Sequence, residues 1–241
     1  MQKIKSILLK RIALEEQRKH YDQVAIKPNL RNTDHYLKIR WQAIINKVGR
    51  ISSPLILDVG CGEGILFEYL KKEATGCFYV GLDPSLRRSF EKPEKNQIAC
   101  FVNGIGEELP FKDKSFDLVF CNALLHHLPD TKKLMDEAVR VCRHKGYVAF
   151  IEPNRKHPLI IGLAIWKKHE RGALLISEAK IANYMKKMDR VRSVVIQPIN
   201  SYCYPYQTFP PNSLFPVVVR LERSLNHPPL STHFLMLAQV W

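Results

Sequence analysis

The stretch Leu55-Ile-Leu-Asp58-Val-Gly60-Cys61-Gly62-Glu-Gly64 decides the fold of this chain. Its apolar run ends in an acid, and glycines follow at every second position, which predicts a buried strand that enters a tight turn. Apolar residues then recur at helical spacing from Ile65 to Leu70. Glycine lets the backbone bend sharply and lets a ligand lie against it, and the following helix N-terminus offers free N–H groups. The order strand, glycine loop, helix is typical of a site for a nucleotide-like cofactor.

The glycine spacing narrows the kind of cofactor. In the dinucleotide pattern G-x-G-x-x-G the third glycine would fall at Ile65, but here it comes one place early, at Gly64. The run D-x-G-x-G-x-G resembles motif I of the class I S-adenosylmethionine-dependent methyltransferases. The resemblance implies that the loop contacts S-adenosylmethionine through Asp58, Gly60, Cys61, Gly62 and Gly64. A glycine turn with a purely structural role is the alternative.

Length and composition favour one domain with a substantial core, since the chain has 241 residues and 46% hydrophobic content. We divide it into a helical cap (1–50), a cofactor-binding core (51–152), and a lid insertion with the C-terminal strands of the same domain (153–241). The formal net charge of +14 favours an acidic partner such as nucleic acid, anionic lipid or a phosphorylated substrate. It does not choose among them, and the sequence indicates no oligomeric state.

The six cysteines include no C-x-x-C pair and are predicted to be core thiols, so neither a metal site nor a disulfide is expected. This usage predicts a reducing, cytoplasmic location. The longest apolar run, Pro158 to Trp166, is too short to cross a bilayer. It suits a lid or an interfacial segment in peripheral contact with an anionic membrane, but the preferred interpretation is a buried helix under the C-terminal strands.

Short apolar strands alternate with helices along the rest of the chain, which predicts an open, mostly parallel sheet covered on both faces. Ligands bind such sheets beyond the carboxyl ends of the strands. The predicted strands after the first are Phe78–Leu82, Ile98–Val102, Phe116–Cys121, Tyr147–Ile151, Val191–Ile199 and Ser231–Trp241. Four helices are predicted. The first is Ile4–His20, and the second is capped by Thr33 and has Leu37, Trp41, Ile44, Ile45 and Val48 on its inner face. The third has Leu134, Met135, Ala138, Val139 and Cys142 on one side, and the fourth is Ser177–Met188.

An acid follows the second strand in Asp83-Pro84-Ser85, about twenty residues beyond the glycine loop. A nucleotide-binding sheet places there a carboxylate that accepts hydrogen bonds from a ribose diol, so we predict that Asp83 and Pro84 contact the cofactor. An Asp before Pro can also start a turn that caps the next helix.

A more specific resemblance comes from Gly104-Ile105-Gly106-Glu-Glu-Leu-Pro-Phe111 followed by Ser115-Phe-Asp117. It is similar to the G-D-A-E-x-L-P-F…S-F-D pattern of the ubiquinone/menaquinone-biosynthesis-like methyltransferases, or methyltransferase family 11. The resemblance implies a Rossmann-like α/β fold, with a seven-stranded, mostly parallel sheet, an antiparallel last strand and helices on both faces. In the family an acid at the position of Ile105 receives the adenine amino group. Here the backbone around Gly106 is left to serve the ring.

The run Asn122-Ala-Leu-Leu-His126-His127-Leu-Pro-Asp130 also resembles the family. The resemblance implies that Asn122 lies beside the methionine moiety and that His127 faces the substrate, with a solvated His127 as the alternative. His126 is predicted to point inward and cap a loop. Tyr21 and Arg40 lie in the region that, in the family this sequence resembles, folds over the cofactor, where an arginine can pair with the methionine carboxylate. A packed tyrosine and a surface arginine are the alternatives. If a base is needed, His127 is the first candidate, then Glu152 or Tyr21.

Several short segments resemble a subset of these methyltransferases with glycan or lipid-linked substrates, among them Glu152-Pro-Asn-Arg155 and Glu170-Arg-Gly172. The sequence thus predicts a methyltransferase that acts on a small-molecule, lipid-linked or glycan acceptor by in-line displacement. An RNA or protein methyltransferase and a non-catalytic cofactor-binding protein are the alternatives, and nucleic acid stays open as a partner.

Overall fold

In the computed structural model, the described residues are 30–49, 51–73, 76–85, 98–128, 130–202, 210–225, 227 and 230–241. These residues form one sheet of seven strands with helices around it. The strands are β1 (Leu55–Val59), β2 (Phe78–Asp83), β3 (Ile98–Asn103), β4 (Phe116–Asn122), β5 (Cys142–Pro153), β6 (Val191–Ile199) and β7 (His233–Val240). The helices are α1 (Leu30–Val48), α2 (Ile65–Glu73), α3 (Thr131–Val141), α4 (Pro158–Trp166), α5 (Glu178–Met185) and α6 (Phe215–Ser224). Two 3-10 helices, the first at Leu125–His127 and the second at Lys168–Leu174, complete the described elements.

The strand order is β3-β2-β1-β4-β5-β7-β6. Strands β1 to β5 pair in parallel, and β7 runs antiparallel to both β5 and β6. This confirms the predicted fold class, including the antiparallel last strand. The order reverses on either side of β1 and β4, and a crevice for a ligand opens at such a switch point beyond the strand ends.

Two apolar cores lie on the opposite faces of the sheet. On one face, α3 and α5 cover inward side chains of the strands, with Leu134 and Met185 fully buried. On the other face, α1 and α2 do the same, with Ile44 and Leu70 fully buried. Because both faces are covered, the strand ends are the part of the sheet that is left for a ligand.

Helix boundaries differ from the prediction at two places. Helix α1 is already formed at Leu30, so Thr33 lies buried inside it and is not its N-cap. Its buried side chains lie on the face that contains Arg40, and this face is turned to the sheet. Trp41 lies beside that face and is only half-buried. Cys142, predicted on a helix, begins β5, since this strand extends toward its amino end to pair with Phe116.

Helix α4 is the clearest departure from the prediction. Only Ile160 and Ala164 are buried, while Ile165 and Trp166 are 66% and 79% exposed, so the preferred interpretation of a buried helix is wrong. A run that is apolar all round has no face that periodicity could assign to the core. In the described part of the chain, no helix combines the length and the apolar character that crossing a bilayer requires. The predicted helix Ile4–His20 lies outside the described residues.

Candidate functional site

The loop after β1 turns sharply beneath the end of β2. The N–H groups of Gly60 and Cys61 donate to the Leu82 carbonyl oxygen at 2.7 and 3.2 Å. Gly60, Gly62 and Gly64 have φ angles of +76°, +51° and +67°, which is the region that favours glycine. The alternating glycines of the motif are therefore required by the backbone, as the sequence predicted.

Bare backbone also lets neighbouring segments approach this loop. A Cβ on Gly60 would lie 3.0 Å from Cδ1 of Leu124, in the segment that follows β4. A Cβ on Gly81 would lie 2.8 Å from Sγ of Cys61. The loop is thus in close contact with β2 and with the chain after β4.

Asp83 ties the glycine loop to the turn after β2. Its Oδ2 accepts a hydrogen bond from the Gly62 N–H at 2.9 Å, and its Oδ1 accepts one from the Ser85 N–H at 2.8 Å. The second bond is the turn role that the sequence left open. Each carboxylate oxygen can accept a further bond, so this position still suits a ribose diol. Pro84 lies in the same turn, and its carbonyl oxygen accepts a bond from the Asn103 amide at 3.1 Å.

Asp58 lies beneath the loop, 4% exposed, and accepts a hydrogen bond from the Tyr79 hydroxyl at 2.6 Å. Burial raises the pKa of Asp58 to about 7; the Tyr79 bond lowers this pKa, and the charge of Asp83 raises it further. Because its carboxyl group keeps a proton up to near-neutral pH, Asp58 supports the loop as a buried residue that is hydrogen-bonded to Tyr79.

We expect this buried acid to make stability depend on pH. Because its pKa rises from 3.8 to about 7 on folding, the folded chain keeps a proton that the unfolded chain releases, so the free energy of unfolding falls as pH rises across that window. In Asp58→Asn this contribution is absent. The free energy of unfolding of the variant, relative to that of the wild type, should therefore rise by up to about 4 kcal/mol between pH 4 and pH 7. Urea denaturation at a series of pH values measures the difference, with Asp34→Asn as an exposed control; parallel pH profiles for wild type and Asp58→Asn would contradict the assignment.

Arg40 is brought from α1 to the end of β4. Its side chain is fully buried, and its Nε donates to Oδ1 of Asn122 at 3.0 Å. The guanidinium carbon lies 3.3 Å from the ring centroid of Tyr36, whose hydroxyl accepts a bond from the Asn122 amide at 3.1 Å. The surface-arginine alternative is therefore wrong. Tyr36 was missed, although it lies one helical turn before Arg40.

The chain after β4 carries a strained residue at this edge. Ala123 has φ +53°, which is costly for a residue with a Cβ, and its N–H donates to the Ile151 carbonyl oxygen at 2.7 Å. Such strain persists where the surroundings impose it, often at functional sites. It directs the following residues toward the end of β5.

Ile105 and Gly106 follow β3 at the same edge. Ile105 is 46% exposed, and Gly106 is buried where a Cβ would lie 2.9 Å from Leu134 and 3.1 Å from Val59. Glycine is therefore needed at 106 for packing, and the apolar side chain at 105 is open to a ring. The adenine-contacting role of both residues stays a prediction.

His126 points inward, as predicted, and forms a buried pair with Glu152. Nδ1 of His126 lies 2.6 Å from Oε2 of Glu152, and the other carboxylate oxygen accepts bonds from the N–H groups of Leu124 and Leu125 at 2.9 and 2.7 Å. Burial alone would lower the pKa of His126, but the charge and hydrogen bond of Glu152, with a smaller effect of Glu170, raise it to about 9. Glu152 is fully enclosed, so it acts on its surroundings through these partners.

His127 lies beside this pair, half-buried, with its ring centroid 3.9 Å from that of His126. Glu170 reaches the same place from the second 3-10 helix, where its Oε2 is 3.4 Å from Nε2 of His126. The structure thus brings together two predicted candidates, His127 and Glu152, with two residues that were given no role in catalysis. Tyr21 lies outside the described residues.

Residues 57–150 match a protein family described as a methyltransferase domain. The chain carries a methyltransferase domain. The match supports the predicted cofactor, S-adenosylmethionine. The match spans β1 to β5 and includes the glycine loop, Asp83, Asn122 and the histidine pair. The ubiquinone-like subgroup stays a prediction.

Two curated relatives illustrate the similarity of the methyltransferase domain. The phthiotriol/phenolphthiotriol dimycocerosates methyltransferase of Mycobacterium leprae is 34% identical over 110 residues, which cover 44% of this chain and 41% of that protein. An uncharacterized methyltransferase of Schizosaccharomyces pombe is 33% identical over 137 residues, which cover 52% of this chain and 48% of that protein. The chain thus aligns with less than half the length of either relative.

Solved structures share the fold over most of the chain. The plantazolicin methyltransferase, solved in complex with S-adenosylhomocysteine, has a TM-score of 0.60 at 16% identity and covers 99% of this chain and 98% of its own. A methyltransferase of Thermotoga maritima, described as a possible histamine N-methyltransferase, has a TM-score of 0.57 at 16% identity over 84% of this chain and 90% of its own. At such identities the likeness establishes the fold.

The local structure of the methyltransferase domain fits its cofactor. A nucleoside that carries an amino acid needs an open backbone surface, a carboxylate for its ribose and a cation for its own carboxylate. The glycine loop, Asp83 and the Arg40–Asn122 pair offer these three features at the carboxyl ends of β1, β2 and β4. Their individual roles in binding remain predictions.

Proposed function

We propose that this chain transfers the methyl group of S-adenosylmethionine to an apolar, lipid-like acceptor. The observation that carries the proposal is the exposed apolar helix α4, which lies at the same edge of the sheet as the glycine loop. Strand β5 ends at Pro153 beside the end of β4, and α4 begins a few residues later. An apolar helix that is exposed to water at this edge of the sheet is suited to contact an apolar substrate or a lipid.

S-adenosylmethionine supplies a methyl group already activated on a sulfonium. The task of the protein is therefore to align the acceptor and to exclude water. Arg40 and Asn122 would hold the amino-acid end, and Asp83 and the glycine loop the nucleoside. His127 is the first candidate for a base, whereas Glu152 is enclosed by hydrogen bonds and is better suited to positioning His126.

The path from α4 to the histidines is short. Helix α4 packs against the second 3-10 helix, which in turn packs against the first one, where His126 and His127 lie. Leu175, just after the second 3-10 helix, is a further apolar side chain that is 80% exposed. Lys167 and Arg171 lie in the same segment, and cations beside an apolar helix strengthen contact with anionic lipid.

The names of several relatives agree with this acceptor class. The mycobacterial relatives are named for phthiotriol and phenolphthiotriol dimycocerosates, which are lipid-like. We extend to this chain only the class of acceptor, because the aligned segment covers 41% of the relative from M. leprae. Peripheral contact with an anionic membrane is part of the same proposal.

The test combines vesicle flotation with transfer of a labelled methyl group. The wild-type protein should float with phosphatidylglycerol vesicles and should label a molecule in the lipid fraction of an extract. Ile165→Glu combined with Trp166→Glu should reduce both signals at least about tenfold, because each charge opposes insertion into an interface. The matched control is Trp241→Glu: Trp241 is also exposed but follows β7, at the opposite edge of the sheet. Label that enters only RNA, protein or polar molecules would contradict the proposed acceptor.

A further inference from the structure

We propose that His126, His127 and Glu170 form a binding site for a divalent transition-metal ion such as Zn²⁺. One nitrogen of each histidine and one carboxylate oxygen of Glu170 lie within 4.8 Å of one another. This site was not expected from the sequence, where the absence of a C-x-x-C pair among the cysteines argued against a metal site. The inference concerns ion binding and is independent of the acceptor proposed above.

The hydrogen bond to His126 has the form seen around metal-bound imidazoles. Nδ1 of His126 faces Oε2 of Glu152 at 2.6 Å, which leaves Nε2 to face Glu170. A metal-binding histidine almost always donates its other N–H to a carboxylate or carbonyl group, which fixes the ring and makes the ligand nitrogen more basic. Glu152 is itself fixed by the N–H groups of Leu124 and Leu125.

The separation between the ligand atoms fits an ion between them. Nε2 of His126 and Oε2 of Glu170 are 3.4 Å apart. Two atoms bound at about 2.1 Å to a tetrahedral ion are separated by about 3.4 Å. His127 follows His126 directly, and its ring lies alongside, so both imidazoles are available to the same ion.

Close backbone packing holds Glu170 at this place. Gly172 lies against the first 3-10 helix so tightly that a Cβ there would be 1.7 Å from the carbonyl oxygen of His126. The segment Glu170-Arg171-Gly172 therefore has a structural explanation. Its glycine allows the close contact with the first 3-10 helix, and its glutamate faces the histidines. Glu170 is 31% exposed, so an ion could enter from solvent.

The ligand types select the class of ion. Two imidazoles and one carboxylate favour Zn²⁺ and its neighbours over Mg²⁺ or Ca²⁺, which prefer sites built from oxygen alone. Three protein ligands leave one position of a tetrahedral ion for water or for an acceptor oxygen. Coordination would also assign His127 to the ion in place of proton transfer. The rival explanation of the same geometry is a protonated His126 held between Glu152 and Glu170 with no ion.

The experiment uses the full chain after treatment with a chelator. Calorimetric titration with Zn²⁺ and visible absorption with Co²⁺ should show one ion per chain and the d–d bands of a tetrahedral site. Glu170→Ala and His127→Ala should each weaken binding by at least about 100-fold, beyond the roughly 10- to 100-fold typical of losing an outer-shell partner. Both residues are partly exposed, so these variants are expected to fold.

Two control variants carry the same chemical changes outside the cluster. Glu178→Ala removes a carboxylate that pairs with Lys156, and His144→Ala removes an exposed histidine of β5. Neither should change the affinity for the ion. Absence of stoichiometric binding to folded protein, or binding that survives both Glu170→Ala and His127→Ala, would overturn the proposal and favour the metal-free pair.

Discussion

Replacement of Asp83 by alanine is expected to weaken binding of S-adenosylhomocysteine by at least about 100-fold. The carboxylate fixes the glycine loop through the Gly62 N–H and the turn after β2 through the Ser85 N–H. The cofactor would add hydrogen bonds from its ribose to the same group. Hydrogen bonds to a charged group contribute roughly 1.5 to 3 kcal/mol each, so loss of two corresponds to roughly 100-fold or more in affinity.

Calorimetric titration with S-adenosylhomocysteine, S-adenosylmethionine and NADH measures this effect. The wild type should bind the two sulfur nucleotides and not NADH. Asp34→Ala is the matched control, because Asp34 is an exposed acid that pairs with Lys72 away from the loop. Unchanged binding in Asp83→Ala would mean that Asp83 serves only its turn, and failure of the wild type to bind would mean that the loop holds another ligand.

The core of the fold could be predicted because its signals are local. Alternating glycines with positive φ, apolar runs of strand length and an acid after the second strand all occur within short stretches around Gly60 and Asp83. Each of them is decided by backbone geometry or by burial on both faces of a parallel sheet. Strand positions were accordingly confirmed, with strand ends shifted by a few residues where pairing partners such as Phe116 extend β5.

The parts that could not be predicted depend on contacts between distant segments. Glu170 meets His126 only because the second 3-10 helix packs on the first, and no sequence period encodes that contact. Arg40 was placed at the edge of a stripe, but its burial against Asn122 follows from how α1 crosses the sheet. The apolar run of α4 was assigned to the core, because hydrophobicity without a preferred face does not indicate which side meets solvent.

Gly172→Ala is expected to destabilise the protein by at least about 3 kcal/mol, at the upper end of the cost of overpacking. The new Cβ would lie 1.7 Å from a backbone carbonyl oxygen, and backbone in a packed 3-10 helix cannot move aside as a flexible side chain can. The second 3-10 helix should therefore separate from the first. Urea denaturation followed by circular dichroism measures the global cost, and amide hydrogen exchange measures the loss of protection at both 3-10 helices.

Gly162→Ala is the matched control for this substitution. Gly162 lies within α4, and a Cβ built there meets nothing within 4 Å, so alanine should stabilise the helix by up to about 1 kcal/mol. Both variants replace a glycine by alanine, but the free energy of unfolding is expected to fall in Gly172→Ala and to rise in Gly162→Ala. If Gly172→Ala denatures like the wild type, the two 3-10 helices do not touch as described. Glu170 would then not be held at His126, and the geometric basis of the metal site would be lost, whereas the glycine loop and its cofactor would be unaffected.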